Sequence, residues 1–128
     1  MNGVEHINLL AAWSSIFLGL VTGIGQGLFF HKDDWLGGYG SWRRRLLRLA
    51  HISFFGLAFL NLAFVQVSQY APWSGLALQL PSTLFLVGLV SMPAVCICSA
   101  FWKNMRYLFA VPVISLVSGA GVILYMGI

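Results

Sequence analysis

Charge is scarce in this sequence. Only 8% of its 128 residues are Asp, Glu, Lys or Arg, against about 25% in a soluble domain. Hydrophobic residues make up 59%, and mean hydropathy is +0.88. Too few polar side chains remain to cover a water-exposed surface, which excludes an ordinary soluble domain, and the apolar content excludes a disordered chain. Acids are scarcest of all: Glu5, Asp33 and Asp34 are the whole set. All three are expected outside the membrane spans, which argues against proton-coupled antiport through a buried carboxylate.

Cysteine is nearly missing as well. Cys96 and Cys98 form C-x-C. Two residues apart on a helix, they point to nearly opposite sides, so neither a disulfide nor joint metal binding is expected. They read as small packing residues, and a secreted disulfide scaffold is excluded. No strand-associated glycine motif, metal-ligand cluster or nucleophile with a neighbouring base is visible, so no catalytic activity is expected.

What the sequence has in quantity is long uncharged runs. They cover 6–31, 49–102 and 107–128. A helix crosses a hydrocarbon core of about 30 Å with about 20 apolar residues. The first and last runs fit one helix each. The middle run fits two, broken by polar and turn-forming residues from Gln66 to Gly75. The expected architecture is therefore an all-α integral membrane protein. It is one domain over 1–128, a four-helix bundle with spans near 7–30, 46–69, 81–102 and 105–126. Residues 1–6 carry no Lys or Arg and the apolar run behind them is long, so the first helix is expected to be retained rather than cleaved as a signal peptide.

The basic residues are one-sided. Lys32, Arg43, Arg44, Arg45 and Arg48 fall between or just inside helices one and two; Lys103 and Arg106 fall between three and four. Four helices place both connections on one side, and the positive-inside rule makes that side cytoplasmic. Both termini are then expected outside, most simply across a bacterial inner membrane. Trp35 and Trp42, with Arg43, Arg44, Arg45, Lys103 and Arg106, are expected to anchor this end to anionic headgroups or to a partner. A membrane-edge girdle is a poor nucleic-acid surface. Asp33 and Asp34 are available to pair with the arginines, and Ser41 to cap helix two.

Three intramembrane features stand out. Ala11, Ser15, Gly19, Gly23 and Gly27 recur every four residues, a smooth stripe that lets another backbone approach. The stripe serves either a helix of the same chain or a docking subunit. His51 lies about 9 Å past Arg45 along helix two, at 1.5 Å per residue. It is either a neutral histidine bonded to a neighbouring helix or, with Arg48, part of a site for haem, quinone or a lipid headgroup. His6 and His31 are poorly levelled with it, which disfavours a bis-histidine haem within the chain. Asn61 is expected to be interhelical glue. Pro81 suits the first position of helix three; Pro93 should free the Leu89 carbonyl, with Ser91 available to satisfy it.

These features point first to a non-catalytic accessory subunit of a larger membrane complex, plausibly respiratory or photosynthetic, with contacts to lipid, other integral-membrane subunits and a shared haem, quinone or pigment. The aromatic content of 15% suits such contacts. The alternatives are a haem b- or quinone-binding anchor using His51 and Arg48, and a small homo-oligomeric channel or carrier lined by Gln26, Asn61, Gln66 and Gln69.

Overall fold

The computed structural model describes residues 2–127, all helices and turns among them. Helix α1 spans Gly3–Phe29, α2 Trp42–Ser68, α3 Leu76–Phe101 and α4 Ala110–Met126. Short 3-10 segments at Trp35–Gly37 and Lys103–Phe109 lie in the connections. All four helices, with Lys103–Phe109 counted into the last, are long and apolar enough to cross a membrane.

The helices begin where local chemistry lets them. Asn2 N–H donates to Glu5 Oε2 at 2.7 Å, closing the first turn of α1. Glu5 is thus the third residue of the first helix and only 4% exposed, which corrects the expectation that every acid lies outside the spans. A carboxylate at a helix N-terminus accepts otherwise orphaned N–H groups and complements the macrodipole. Ser41 caps α2: its hydroxyl accepts from Arg44 N at 3.2 Å and donates to Leu36 O at 2.7 Å. The arginines therefore sit inside the helix, which starts four residues before the expected span.

Helix α3 starts at Leu76, so Pro81 is an interior residue rather than the first helical position. Burial overrides the local cost, since Leu78, Pro81 and Phe85 all face the core. Ser91 donates to Val87 O at 2.6 Å and not to the Leu89 carbonyl. Before α4 the chain is tightened into 3-10 turns through Phe109. Pro112 then falls in the first α turn, where a missing N–H costs nothing.

α2 and α3 form the centre of the bundle, with α1 packed on α2 and α4 packed on α3. Phe64 and Phe85 meet edge to face at 5.8 Å, joined by Val65 and Leu78. The outer helices attach by the same device, a Ser-x-x-x-Gly pair. Ser15 Oγ donates to Phe54 O, and Gly19 faces Phe54 and Phe55. Ser115 Oγ donates to Leu84 O, and Gly119 faces Leu84 and Phe85. The serine anchors one carbonyl, and the glycine one turn later lets the aromatic approach the backbone. Ser15→Ala and Ser115→Ala should each lower stability by about 0.6 kcal/mol, the usual size of one such bond in a membrane bundle. Unfolding in mixed detergent measures it.

The basic side chains gather at one end. Trp42 Nε1 donates to Ser99 O at 2.7 Å, Arg43 lies over Phe101, and Lys103 lies over Trp42. The opposite end is tied by amides, hydroxyls and the Glu5 carboxyl group. Asn8 Nδ2 donates to Asn61 Oδ1 at 2.8 Å, Ser82 Oγ donates to Asn8 Oδ1, and Ser68 Oγ donates to Glu5 Oε1 at 2.9 Å. Three helices are thereby locked in register.

Candidate functional site at the basic end

The stripe on α1 is largely used within the chain. A Cβ on Gly19 would come within 2.7 Å of Phe55, and one on Gly23 within 2.7 Å of His51 Cε1. Ser15 is bonded to α2, Ala11 lines an apolar groove with α3, and Gly27 faces open space. The stripe therefore builds the α1–α2 seam, and its contact with another subunit is limited to what lies beyond that seam.

Where the seam opens at the basic end it leaves a pocket of about 370 Å³, lined by Gly23, Gln26, Gly27, Phe30, Arg48, His51 and Ile52. Its geometry follows from helical spacing. Gly23 and Gly27 are one turn apart on α1; Arg48, His51 and Ile52 are three and four apart on α2. The glycines provide a smooth floor, and three polar side chains form the rim.

His51 is held on two sides. Its Nδ1 lies 3.3 Å from Thr22 Oγ1, and its ring meets Phe55 edge to face at 5.3 Å. The Thr22 hydroxyl proton is already given to Gly19 O at 3.0 Å. Which ring nitrogen donates here depends on the tautomer, and the Thr22 contact holds the ring in place with either one. Gln26 Nε2 donates to Leu47 O at 3.1 Å.

Arg48 lies 4.1 Å above the Tyr39 ring and donates from Nη2 to Tyr39 O at 3.1 Å. Its Nη1 is buried with no partner. Arg44, one turn earlier, is 3% exposed. It donates to Phe30 O at 2.6 Å and to Lys32 O at 3.5 Å, and sits among the rings of Phe30, Trp35 and Tyr39. Its Nε is also buried and unpartnered. Asp33 and Asp34 are exposed and figure in none of the arginine hydrogen bonds among the described residues. The partners are backbone carbonyls, so neither guanidinium charge is neutralised by them.

The remaining basic and aromatic residues lie outside this pocket. Trp35 stacks on Phe29, and Arg106 reaches Tyr107. Arg45 shares a shallow recess with Trp42, Arg48 and Ile52. A larger recess of about 510 Å³ runs along Leu36, Trp42, Arg43, Ala100 and Lys103. Its two cations are solvent-facing and already stacked on rings.

No family model, curated protein or solved structure matches this chain. The site must therefore be argued from its own residues. They do not suit a bis-histidine haem. His6 is an exposed residue in the first turn of α1, at the far end, and His31 is exposed in the loop. No second histidine lines the pocket, and the His51 ring packs edge-on against the α1 backbone at Gly23. The polar residues considered as a channel lining also separate. Asn61 is fully buried and bonded, Gln66 is exposed and bonds Tyr70, and Gln26 belongs to the pocket.

Asn8, Thr22 and Ser82 carry no expectation from the sequence, and Tyr39 carries only that of a headgroup-layer ring beside Trp35 and Trp42. Asn8 had a readable signal, because Glu5, Asn8, Ala12, Ser15 and Gly19 follow three-and-four spacing on the face that is buried. The stacking of Tyr39 on Arg44 and Arg48 had none, since it depends on a loop folding back over α2.

Proposed function

We propose that this chain is a non-catalytic membrane subunit whose specific task is to hold an amphipathic, membrane-borne molecule in the basic-end pocket. The observation that carries this reading is the convergence of Gln26, Arg48 and His51 on one glycine-floored opening of the α1–α2 seam. A polar headgroup is offered the Arg48 guanidinium and the His51 ring. An apolar body is offered Phe30, Ile52 and the surrounding lipid. Such a mix of mostly apolar wall and a few directed polar groups is what small-molecule sites use. In this reading the basic end faces the cytoplasm of a bacterial cell, both termini lie outside, and the girdle grips anionic lipid.

The subunit part of the proposal rests on the open shape of the bundle. α1 packs chiefly on α2 and α4 chiefly on α3, with apolar grooves of about 350 Å³ between α1 and α3 and about 270 Å³ between α2 and α4. Partner helices or lipid fill such grooves in a membrane. A respiratory or photosynthetic complex is the context that best joins a small aromatic-rich subunit with a quinone- or lipid-sized pocket.

Purification in mild detergent, followed by identification of co-purifying chains and by solvent extraction of bound small molecules, tests both parts. The expected result is a stable partner and a retained amphiphile. A lone monomer carrying nothing overturns the reading. A Soret band lost in His51→Ala would replace it with a haem site.

A further inference from the structure

The pocket has a chemical preference that goes beyond holding an amphiphile. We infer that its occupant is an anionic lipid, with the phosphate oxygens on the Arg48 guanidinium and an acyl chain running over Gly27 between Phe30 and Ile52. This rests on the ligand-holding reading above and names the class of ligand.

Arg44 and Arg48 stand one turn apart on α2 and share the ring of Tyr39, at 5.7 Å and 4.1 Å. Among the described residues each is bonded only to carbonyl oxygens, and each keeps one buried N–H without an acceptor, Arg44 Nε and Arg48 Nη1. Leaving such a donor unpaired costs more than an ordinary lost hydrogen bond, and burying a guanidinium without a counter-charge costs more again. The nearby acids do not meet the need, because Asp33 and Asp34 point to solvent. Arg48 lines the pocket and Arg44 does not, so an oxyanion at the mouth would accept from Arg48 with charge-assisted strength, while the buried Arg44 charge one turn away adds to the attraction.

Shape separates a lipid phosphate from a free one. The wall behind the mouth is Gly23, Gly27, Phe30 and Ile52. A Cβ on Gly27 would meet nothing within 4 Å, so the floor there is open space rather than packed seam. Ile52 is 62% exposed and Phe30 40% exposed, leaving an apolar track that leads from the arginines toward the membrane. Free phosphate would use the head site and leave the track empty. The His51 ring also lines the pocket and gives a headgroup hydroxyl a hydrogen-bonding neighbour.

Native mass spectrometry of the detergent-solubilised full chain provides the test, with phosphatidylglycerol, acyl-matched phosphatidylcholine, a short-tailed ubiquinone and inorganic phosphate as probes. Phosphatidylglycerol should bind about tenfold more tightly than phosphatidylcholine, and inorganic phosphate should not displace it. Arg48→Gln should weaken phosphatidylglycerol binding about tenfold. Lys32→Gln removes the same charge from the same end and should weaken it less than about twofold. Gly27→Leu fills the track without touching the seam and should weaken lipid binding while helix content and partner chains are kept. Equal losses in Arg48→Gln and Lys32→Gln would reduce the effect to general surface attraction and overturn the site. Displacement by inorganic phosphate would overturn the lipid assignment. Preferential retention of the quinone would overturn the anionic class yet leave the ligand-holding function standing. Failure to retain any amphiphile would overturn both.

Discussion

Arg44→Ala is expected to release the loop between α1 and α2 and to cost about 2–4 kcal/mol of stability. The native side chain does three jobs. It bonds Phe30 O and Lys32 O, the carbonyls with which α1 frays into the loop. It stacks against Phe30, Trp35 and Tyr39, at 4.6, 5.5 and 5.7 Å. It fills a site that is only 3% open. Cation–π contacts contribute about 0.5–1 kcal/mol each at exposed sites and more when desolvated, and hydrogen bonds to a charged group about 1.5–3 kcal/mol. Water at the membrane edge recovers part of the carbonyl term, which keeps the sum within the stated range. Trypsin cleavage after Lys32 reads the loop directly and should become much faster in the variant. Arg44→Lys should recover little, because an ammonium lacks the planar fork that bonds carbonyls while lying flat on rings. Cleavage at the native rate in Arg44→Ala would show that the aromatic residues hold the loop unaided.

Gly19→Leu should be the most damaging change along the helix seams. Its first added carbon would lie 2.7 Å from Phe55 Cε2 and 3.2 Å from Phe54 Cβ. The Phe54 Cβ cannot swing away, so α1 must withdraw from α2. That withdrawal also stretches the Ser15–Phe54 hydrogen bond. Overpacking costs about 1–3 kcal/mol and the interhelical bond about 0.6 kcal/mol. Gly27→Leu supplies the contrast on the same stripe. No atom lies within 4 Å of its added carbon, and leaving glycine raises helix propensity by up to about 1 kcal/mol. Detergent-driven unfolding followed by tryptophan fluorescence should separate the two by several kcal/mol. Equal stabilities would mean that α1 adjusts freely along α2, against the close seam seen at Gly19 and Gly23.

These two outcomes also mark how far the sequence could be read. The stripe from Ala11 to Gly27 was visible as a period of four, but a period does not name the partner. In a membrane, the hydrophobic drive that assigns faces in water is absent, so any neighbour with a matching surface satisfies the same pattern. Folding assigned Gly19 to Phe55 and Gly23 to His51, and left Gly27 open. His51 was legible as an unusual residue at that depth. Its Thr22 partner was not, because a hydroxyl on α1 acquires meaning only when the seam brings it 3.3 Å from the ring. Glu5 was misjudged for a local reason: its carboxylate closes its own first turn and bonds Ser68 across 63 residues.

The sequence by itself determined the helical class and the four apolar runs. It also determined the two basic connections and, by parity, their shared end. These follow from composition and one-dimensional spacing, since backbone polar groups in lipid must be paired within each span. Tertiary structure alone decided which small residues became seam and which became floor. It also decided that Tyr39 stacks on both arginines, and that among the described residues Asp33 and Asp34 stay out of the arginine hydrogen bonds. Each of these depends on residues distant in sequence arriving within a few ångströms, and short-range forces such as packing and hydrogen bonding act only once the helices have met.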